Sequence, residues 1–402
     1  MRRVAVTGAG VVSALGVGVS SFWSALRAGT SGIGPIRAVD CSGIKFSNGA
    51  EVPDFNPLLH FDAKTAGQLD RSVQFAGIAA AEAIAHSGAA LVPERTAVVT
   101  GCAIGGKPTE DHTYRLLYAE GRTRFDPMSI PKVMTSASAS YISMRHGITG
   151  PCYTVSTACA SAAHAIGQAF WMVRSGQVDV AVTGGTEAPV TLGMLRAWEA
   201  MRVVAPDTCR PFSRDRRGLI LGEGAAVVVL EDLDAAVARG ARVHAEICGF
   251  GMSSDAGHLT APSADGAARA MSAALRDAGL DATQIGYVNA HGTGTAANDS
   301  TETRAIRAVF AAPPLVSATK SMHGHALGAS PALEAVATIL ALRDGVLPPT
   351  AHFTEADPEC DLDVIPNRAR DVQVEAALSN SFAFGGLNAV LAFRRYVGSG
   401  QE

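Results

Sequence analysis

Seven cysteines are scattered along the chain (41, 102, 152, 159, 209, 248 and 360), and one of them sits where nucleophilic chemistry is favoured. Cys159 lies in STACASAAHAIG, directly after a short strand and at the start of a helix. A helix N-terminus presents unpaired N–H groups and the positive end of its dipole, so a lowered thiol pKa is expected there. The same N–H groups could face the oxyanion formed when a thioester carbonyl is attacked. Ala158, Ala160 and Ser161 leave room for a bulky acyl group. For a cysteine taken at random, a small buried core residue is the commoner reading, and the other six keep it.

Three further segments carry groups that could work with this thiol. In NAHGTGT (289–295), His291 ends a strand and precedes Gly292 and Gly294, so backbone and ligand can share the space before its ring. Thr293 and Thr295 place two hydroxyls two residues apart, suited to an amide-bearing arm. Alone, such a histidine is no more often functional than structural. In TKSMHGHALG (319–328), Lys320 and His325 share one compact loop, and Glu334 follows on the next helix. A lysine beside histidines could fix their hydrogen bonds and protonation states. The competing reading is a solvated basic loop, which the many small and apolar neighbours disfavour. In SNSFAFGGLN (379–388), Phe382 and Phe384 precede a Gly–Gly turn, a feature of core packing or, beside a site, a backbone donor to an oxyanion.

The elements that must position these groups alternate between strand and helix, the mark of an α/β chain. Strands are predicted over 3–7, 96–100, 153–155, 178–183, 225–230, 243–249, 286–289, 315–317, 377–379 and 389–394. Helices are predicted over 72–87, 160–175, 264–278 and 331–344, and 109–133 reads as a mixed excursion. VSTAC (155–159) and VSATK (316–320) each lead into a helix, while AVVTGCAIGG (97–106) and YVNAHGTGT (287–295) each run from strand to Gly/Thr loop. This weak repeat predicts two similar halves whose loops converge, divided here as 1–242 and 243–402.

Composition excludes several classes. A net charge of −4 with no basic block argues against nucleic acid as partner. The odd, unspaced cysteines read as reduced cytosolic thiols, and no zinc-site spacing occurs. No run of 18 apolar residues is present, so no membrane span is expected. Arg2 and Arg3 before VAVTGAGVVSALGVGV imitate a signal peptide, but glycines interrupt the apolar part, which reads as a strand over Val4 to Thr7 opening into a glycine loop. Gly8-Ala9-Gly10 lacks the third glycine and the distal acid of a dinucleotide site.

Together the motifs VTGAGVVSALG, STACAS, RPFSRDRRGLILGEGA, NAHGTGT, TKSMHGHALGA and SNSFAFGGLN, in this order and over nearly the whole chain, resemble the β-ketoacyl synthases of the thiolase superfamily, specifically the type II chain-elongating enzymes. The resemblance implies a duplicated five-layer αβαβα fold. It also implies decarboxylative condensation of a Cys-bound acyl chain with malonyl-acyl carrier protein. Position by position, it makes Cys159 the nucleophile, His291 and His325 the decarboxylating pair, and Lys320 and Glu334 their support. Backbone N–H groups of Cys159 and Phe384 would form the oxyanion hole, with Phe384 and Phe382 at the acyl pocket. Thr293, Thr295 and Thr260 match positions that meet the phosphopantetheine arm, and Ile104 a position lining the acyl pocket across a dimer interface. The resemblance implies no metal or redox cofactor and an acyl carrier protein as partner; the cytoplasmic location rests on the cysteine usage above. A homodimer and a heterodimer with a chain-length-factor-like subunit are both compatible with it.

Departures from the family pattern are Ala383 for the usual glycine, Leu387 for threonine and His323 for a residue that is often Thr or Val. They bear on acyl specificity rather than chemistry, and Ala383, Leu387 and the atypical KPTEDHTYRLLYAEGR segment (107–122) favour a specialised pathway over housekeeping elongation. A non-catalytic chain-length partner would usually lack the nucleophile. A degradative thiolase would carry a late catalytic cysteine, but Cys360 lies in DPECDLD; a starter-condensing enzyme would have asparagine in place of His325.

Overall fold

The computed structural model describes residues 1–398. Its first strand, β1 (Val4–Ser13), is buried along its whole length. The expected glycine loop after Thr7 is therefore not there: the strand runs on to Ser13. Gly8 and Gly10 are needed because helix α1 (Arg71–Ser87) lies directly on this strand. A Cβ at Gly8 would lie 2.1 Å from the Ala83 carbonyl oxygen, and one at Gly10 would lie 2.0 Å from that of Ala79.

Apart from five two-residue strands, the others are β2 (Thr96–Gly101), β3 (Cys152–Val155), β4 (Val180–Glu187), β5 (Gly224–Asp232), β6 (Ala245–Ser254), β7 (Ile285–Asn289), β8 (Leu315–Ser317), β9 (Ala376–Ala383) and β10 (Leu387–Arg394). In the first half they lie in the order β1-β5-β4-β2-β3, with β5 antiparallel to both neighbours and β4, β2 and β3 parallel. The second half repeats this as β6-β10-β9-β7-β8, with β10 antiparallel to both neighbours and β9, β7 and β8 parallel. The same pairing signature twice is the internal duplication that the paired motifs foreshadowed. The halves meet where β1 pairs antiparallel with β6, from Val4↔Ile247 to Val6↔Ala245, so the sheet is continuous.

Helices complete five layers. Between the two strand sets lie α3 (Ser161–Arg174) and α6 (Ser330–Asp344), which contact each other and strands of both halves. Every residue of α6 from Ser330 to Leu342 is buried, so the helix is enclosed on all sides, as a central layer requires. On the outer faces, α1 and α2 (Ala137–His146) cover the first half, and α4 (Ala264–Ala278) with α5 (Ala296–Val309) covers the second. The mixed segment 109–133 resolves into helices Lys107–Tyr118 and Ser129–Val133. Lys320 does not lie in a loop: it opens a short buried helix, Lys320–His323. No helix of the described residues is long and apolar enough to cross a membrane.

Candidate active site

The elbow between β3 and α3 presents Cys159. Ala158 is held at φ +48°, a left-handed conformation that costs a non-glycine residue energy and turns the next side chain sharply. Ser161 stitches the elbow: its hydroxyl accepts the Thr157 N–H at 2.9 Å and donates to the Ala158 carbonyl at 2.6 Å. The helix begins two residues after the cysteine, and Cys159 is only 7% exposed. Here the expectation of a lowered thiol pKa fails. Burial pushes the thiol up to about 12, and Lys320 opposes that only in part. Withdrawal from water outweighs the favourable charges, so the resting group is a thiol.

His291 follows β7 and is fixed from two sides. Its backbone N–H and that of Gly292 donate to the two carboxylate oxygens of Glu302 on α5, each at 2.8 Å. Lys320 Nζ donates to the His291 carbonyl at 2.7 Å, lies 3.3 Å from His291 Nδ1, and pairs with Glu334. An ammonium has no lone pair, so Nδ1 must be the acceptor and the proton of the neutral ring belongs on Nε2. His325 Nδ1 lies 2.9 Å from the Ser330 hydroxyl, which can donate to it. The two imidazoles stand edge to face with centroids 5.5 Å apart. Burial first, then Lys320, holds both well below the ordinary histidine range, so both are neutral at pH 7. Burial pushes Glu334 up to about 7 while Lys320 draws it down. His323 is fully buried, with Nε2 3.1 Å from Thr319 Oγ1 and its pKa lowered to about 3 by burial.

One cavity of about 100 Å³ collects Cys159, His291, His325, Thr293, Thr295, Thr260, Phe382 and Phe384. Lys320 and Glu334 stand behind His291 rather than in the cavity. Thr293 and Thr295 hydrogen-bond to each other at 2.9 Å, and Thr295 also caps α5. Between them Gly294 has φ +77°, and a Cβ there would lie 2.8 Å from the Gly218 carbonyl oxygen. Phe384 occupies the hairpin turn after Ala383 pairs with Leu387, and stacks on Trp198 at 6.1 Å. Ala383 thus belongs to the strand, not to the turn. Ile104 does not line this cavity; it is half-buried and its N–H donates to Glu187. A larger open cleft of about 900 Å³ near Arg37, Phe55 and His112 contains none of these groups.

Two family descriptions match the chain: Beta-ketoacyl synthase, N-terminal domain, over residues 1–236, and Beta-ketoacyl synthase, C-terminal domain, over 244–354. The chain belongs to the β-ketoacyl synthase family. It is 48% identical over 401 residues to Nodulation protein E of Rhizobium sp. (strain N33), covering 98% of this chain and 99% of that protein. It is 39% identical over 408 residues to 3-oxoacyl-[acyl-carrier-protein] synthase 2 of Staphylococcus aureus (strain COL), with the same coverage. The solved structure described as the ishigamide ketosynthase/chain length factor superposes with a TM-score of 0.94 at 41% identity, covering 98% of this chain and 100% of that one. This ketosynthase is an acyltransferase, and its reaction is a condensation of fatty-acid or polyketide synthesis.

Several residues that hold the candidate site of this ketosynthase have no place among the sequence motifs. Ser330 was legible, five residues after His325 on the helix that follows it. Glu302 was legible too, since an acid on the helix after NAHGTGT is within reach of its backbone. Trp198 carries no such signal, because only the fold brings it to Phe384.

Proposed function

We propose that this ketosynthase condenses a Cys159-bound acyl chain with malonyl-acyl carrier protein. The observation that carries the reading is the meeting of a buried thiol with two neutral imidazoles whose Nδ1 atoms are already committed. In the first step the Cys159 sulfur attacks the carrier thioester, the thiol proton passes to the departing phosphopantetheine sulfur, and the acyl chain stays on Cys159. Malonyl carrier protein then enters, its pantetheine amides meeting Thr293, Thr295 and Thr260. The Nε2–H groups of His291 and His325 donate to the malonyl thioester oxygen, stabilising the enolate left as carbon dioxide departs. Neutral rings suit this role, because they donate without surrendering a proton. The enolate carbon attacks the acyl-Cys159 carbonyl, and the N–H groups of Cys159 and Phe384 receive the oxyanion. Collapse expels the Cys159 thiolate, which takes a proton from solvent to restore the thiol, and releases β-ketoacyl carrier protein. The scheme calls on no metal or redox cofactor.

The partners proposed are an acyl carrier protein and a second thiolase-like chain, either another copy or a chain-length-factor-like subunit. The exposed edge strand β3, with Tyr153 36% exposed, supports a dimer contact. Identity to Nodulation protein E above that to the synthase 2 relative supports a specialised acyl pathway. Seven free cysteines suit a cytoplasmic setting. The test is Cys159→Gln, which should abolish acyl transfer and condensation while malonyl decarboxylation persists. Condensation at the wild-type rate would overturn the proposal.

A further inference from the structure

Glu187 closes strand β4 with no exposed surface, and the chemistry proposed above does not use it. Its two oxygens accept from four donors on two separate loops. Oε1 receives the Cys102 thiol and the Ile104 N–H, both at 3.2 Å. Oε2 receives the Ala103 N–H at 2.8 Å and the Gly328 N–H at 3.0 Å. No cation is among the groups that bond it, so three backbone N–H groups and one thiol hold this carboxylate.

Each loop leads to a reacting group. Gly328 stands between His325 and Ser330, in the turn that sets the ring against its hydroxyl partner. Residues 102–104 lie beside the nucleophile's elbow: the Cys102 N–H donates to the Val155 carbonyl, and the Ser156 hydroxyl donates to the Ala103 carbonyl. A Cβ at Gly328 would lie 2.6 Å from Glu187 Oε2, so the turn has no slack at this contact. The carboxylate also acts at longer range, since its charge is among those that raise the Cys159 thiol.

We propose that Glu187 is a positioning residue that clamps the Ile104 loop of the first half to the His325 turn of the second, fixing both relative to Cys159. Its carboxylate serves because it offers acceptors on both oxygens. An amide would turn an NH2 toward backbone donors on one side and break one loop free. The charge has a second consequence: it adds to the burial that keeps Cys159 a thiol. Besides Glu187, the groups acting on that thiol are Lys320, which favours the thiolate, and Glu334, which opposes it. Burial pushes Glu187 up to about 7, so it is charged over the alkaline range in which the thiol ionises.

This inference rests on the condensing role proposed for Cys159 and His325. The experiment compares Glu187→Gln and Glu187→Asp in the full chain. Condensation is measured with acyl and malonyl carrier proteins, and alkylation of Cys159 by iodoacetamide is followed by peptide mass spectrometry across pH. Both variants should lose condensation by about tenfold or more, because neither reaches both loops with two acceptors. Only the Gln variant should shift the alkylation midpoint, by about one pH unit or more to the acid side, because only it removes a like charge. Wild-type condensation in either variant overturns the clamp. Equal midpoint shifts in both overturn the charge effect, since they would report entry of water. If the Gln variant does not fold, the Asp variant alone decides, with lost condensation at an unmoved midpoint as the expected result. Were the wild-type chain itself inactive in condensation, the fault would lie with the proposed function, whereas the alkylation comparison would still test the charge.

Discussion

Lys320→Met isolates what the buried lysine does for the histidines. In the wild type its ammonium holds His291 Nδ1 at 3.3 Å and the His291 carbonyl at 2.7 Å, pairs with Glu334, and is wholly buried. Without it the Nε2–H tautomer of His291 loses its enforcing partner, and one of two donors to the enolate is misplaced. Loss of one well-aimed oxyanion donor typically costs about 10²–10³ in rate, so malonyl decarboxylation should fall by at least tenfold and at most about a thousandfold. The stranded Glu334 adds about 3–5 kcal/mol of destabilisation, less whatever it recovers by taking up a proton. Glu334→Gln is the matched control, because it leaves the lysine and its bonds to His291 in place and should slow decarboxylation far less. The assay is carbon dioxide release from malonyl carrier protein, beside mass-spectrometric loading of Cys159, with the thermal transition recorded for each variant. A folded Lys320→Met protein that decarboxylates at the wild-type rate would refute this reasoning. So would equal damage from Glu334→Gln.

Other expectations follow from single contacts. Ser330→Ala removes the hydroxyl at His325 Nδ1 and should slow decarboxylation by roughly three- to tenfold, the equivalent of about 1 kcal/mol, with little change in the thermal midpoint; an unchanged rate would show that the contact orients nothing. His323, lowered to about 3, binds no proton in the folded protein between pH 6.5 and 3 but binds one when unfolded. Its stabilising contribution is therefore present above pH 6.5 and declines by about 1.4 kcal/mol per pH unit as pH falls below it. His323→Thr should lose less stability than wild type in urea melts between pH 6 and 4, and parallel pH curves would contradict this. Gly10→Ala places a Cβ 2.0 Å from the Ala79 carbonyl and should destabilise by about 3 kcal/mol or prevent folding; a wild-type melting curve would mean that α1 does not seat on β1 as described.

Much of this architecture was legible because its signals are local. The loop glycines, the small residues about Cys159 and the strand–loop–helix pairs lie within short windows, and the duplication made each half predict the other. What stayed hidden depends on contacts distant in sequence. Val4–Thr7 looked like a short strand because glycines ordinarily end one, and only α1 packed against Gly8 and Gly10 explains why the strand continues. The Cys159 thiol was expected to be acidic because helix position can be read from sequence while burial cannot. Glu187 gave no signal, since its four donors come from positions 102–104 and from 328.

The central claim is that Cys159 carries the acyl chain during condensation. Its most direct test is peptide mass spectrometry of the protein incubated with acyl carrier protein alone, before and after malonyl carrier protein is added. One acyl adduct is expected, on Cys159, and it should disappear as β-ketoacyl carrier protein forms. Condensation without an adduct at Cys159, or with the chain on another cysteine, would contradict it.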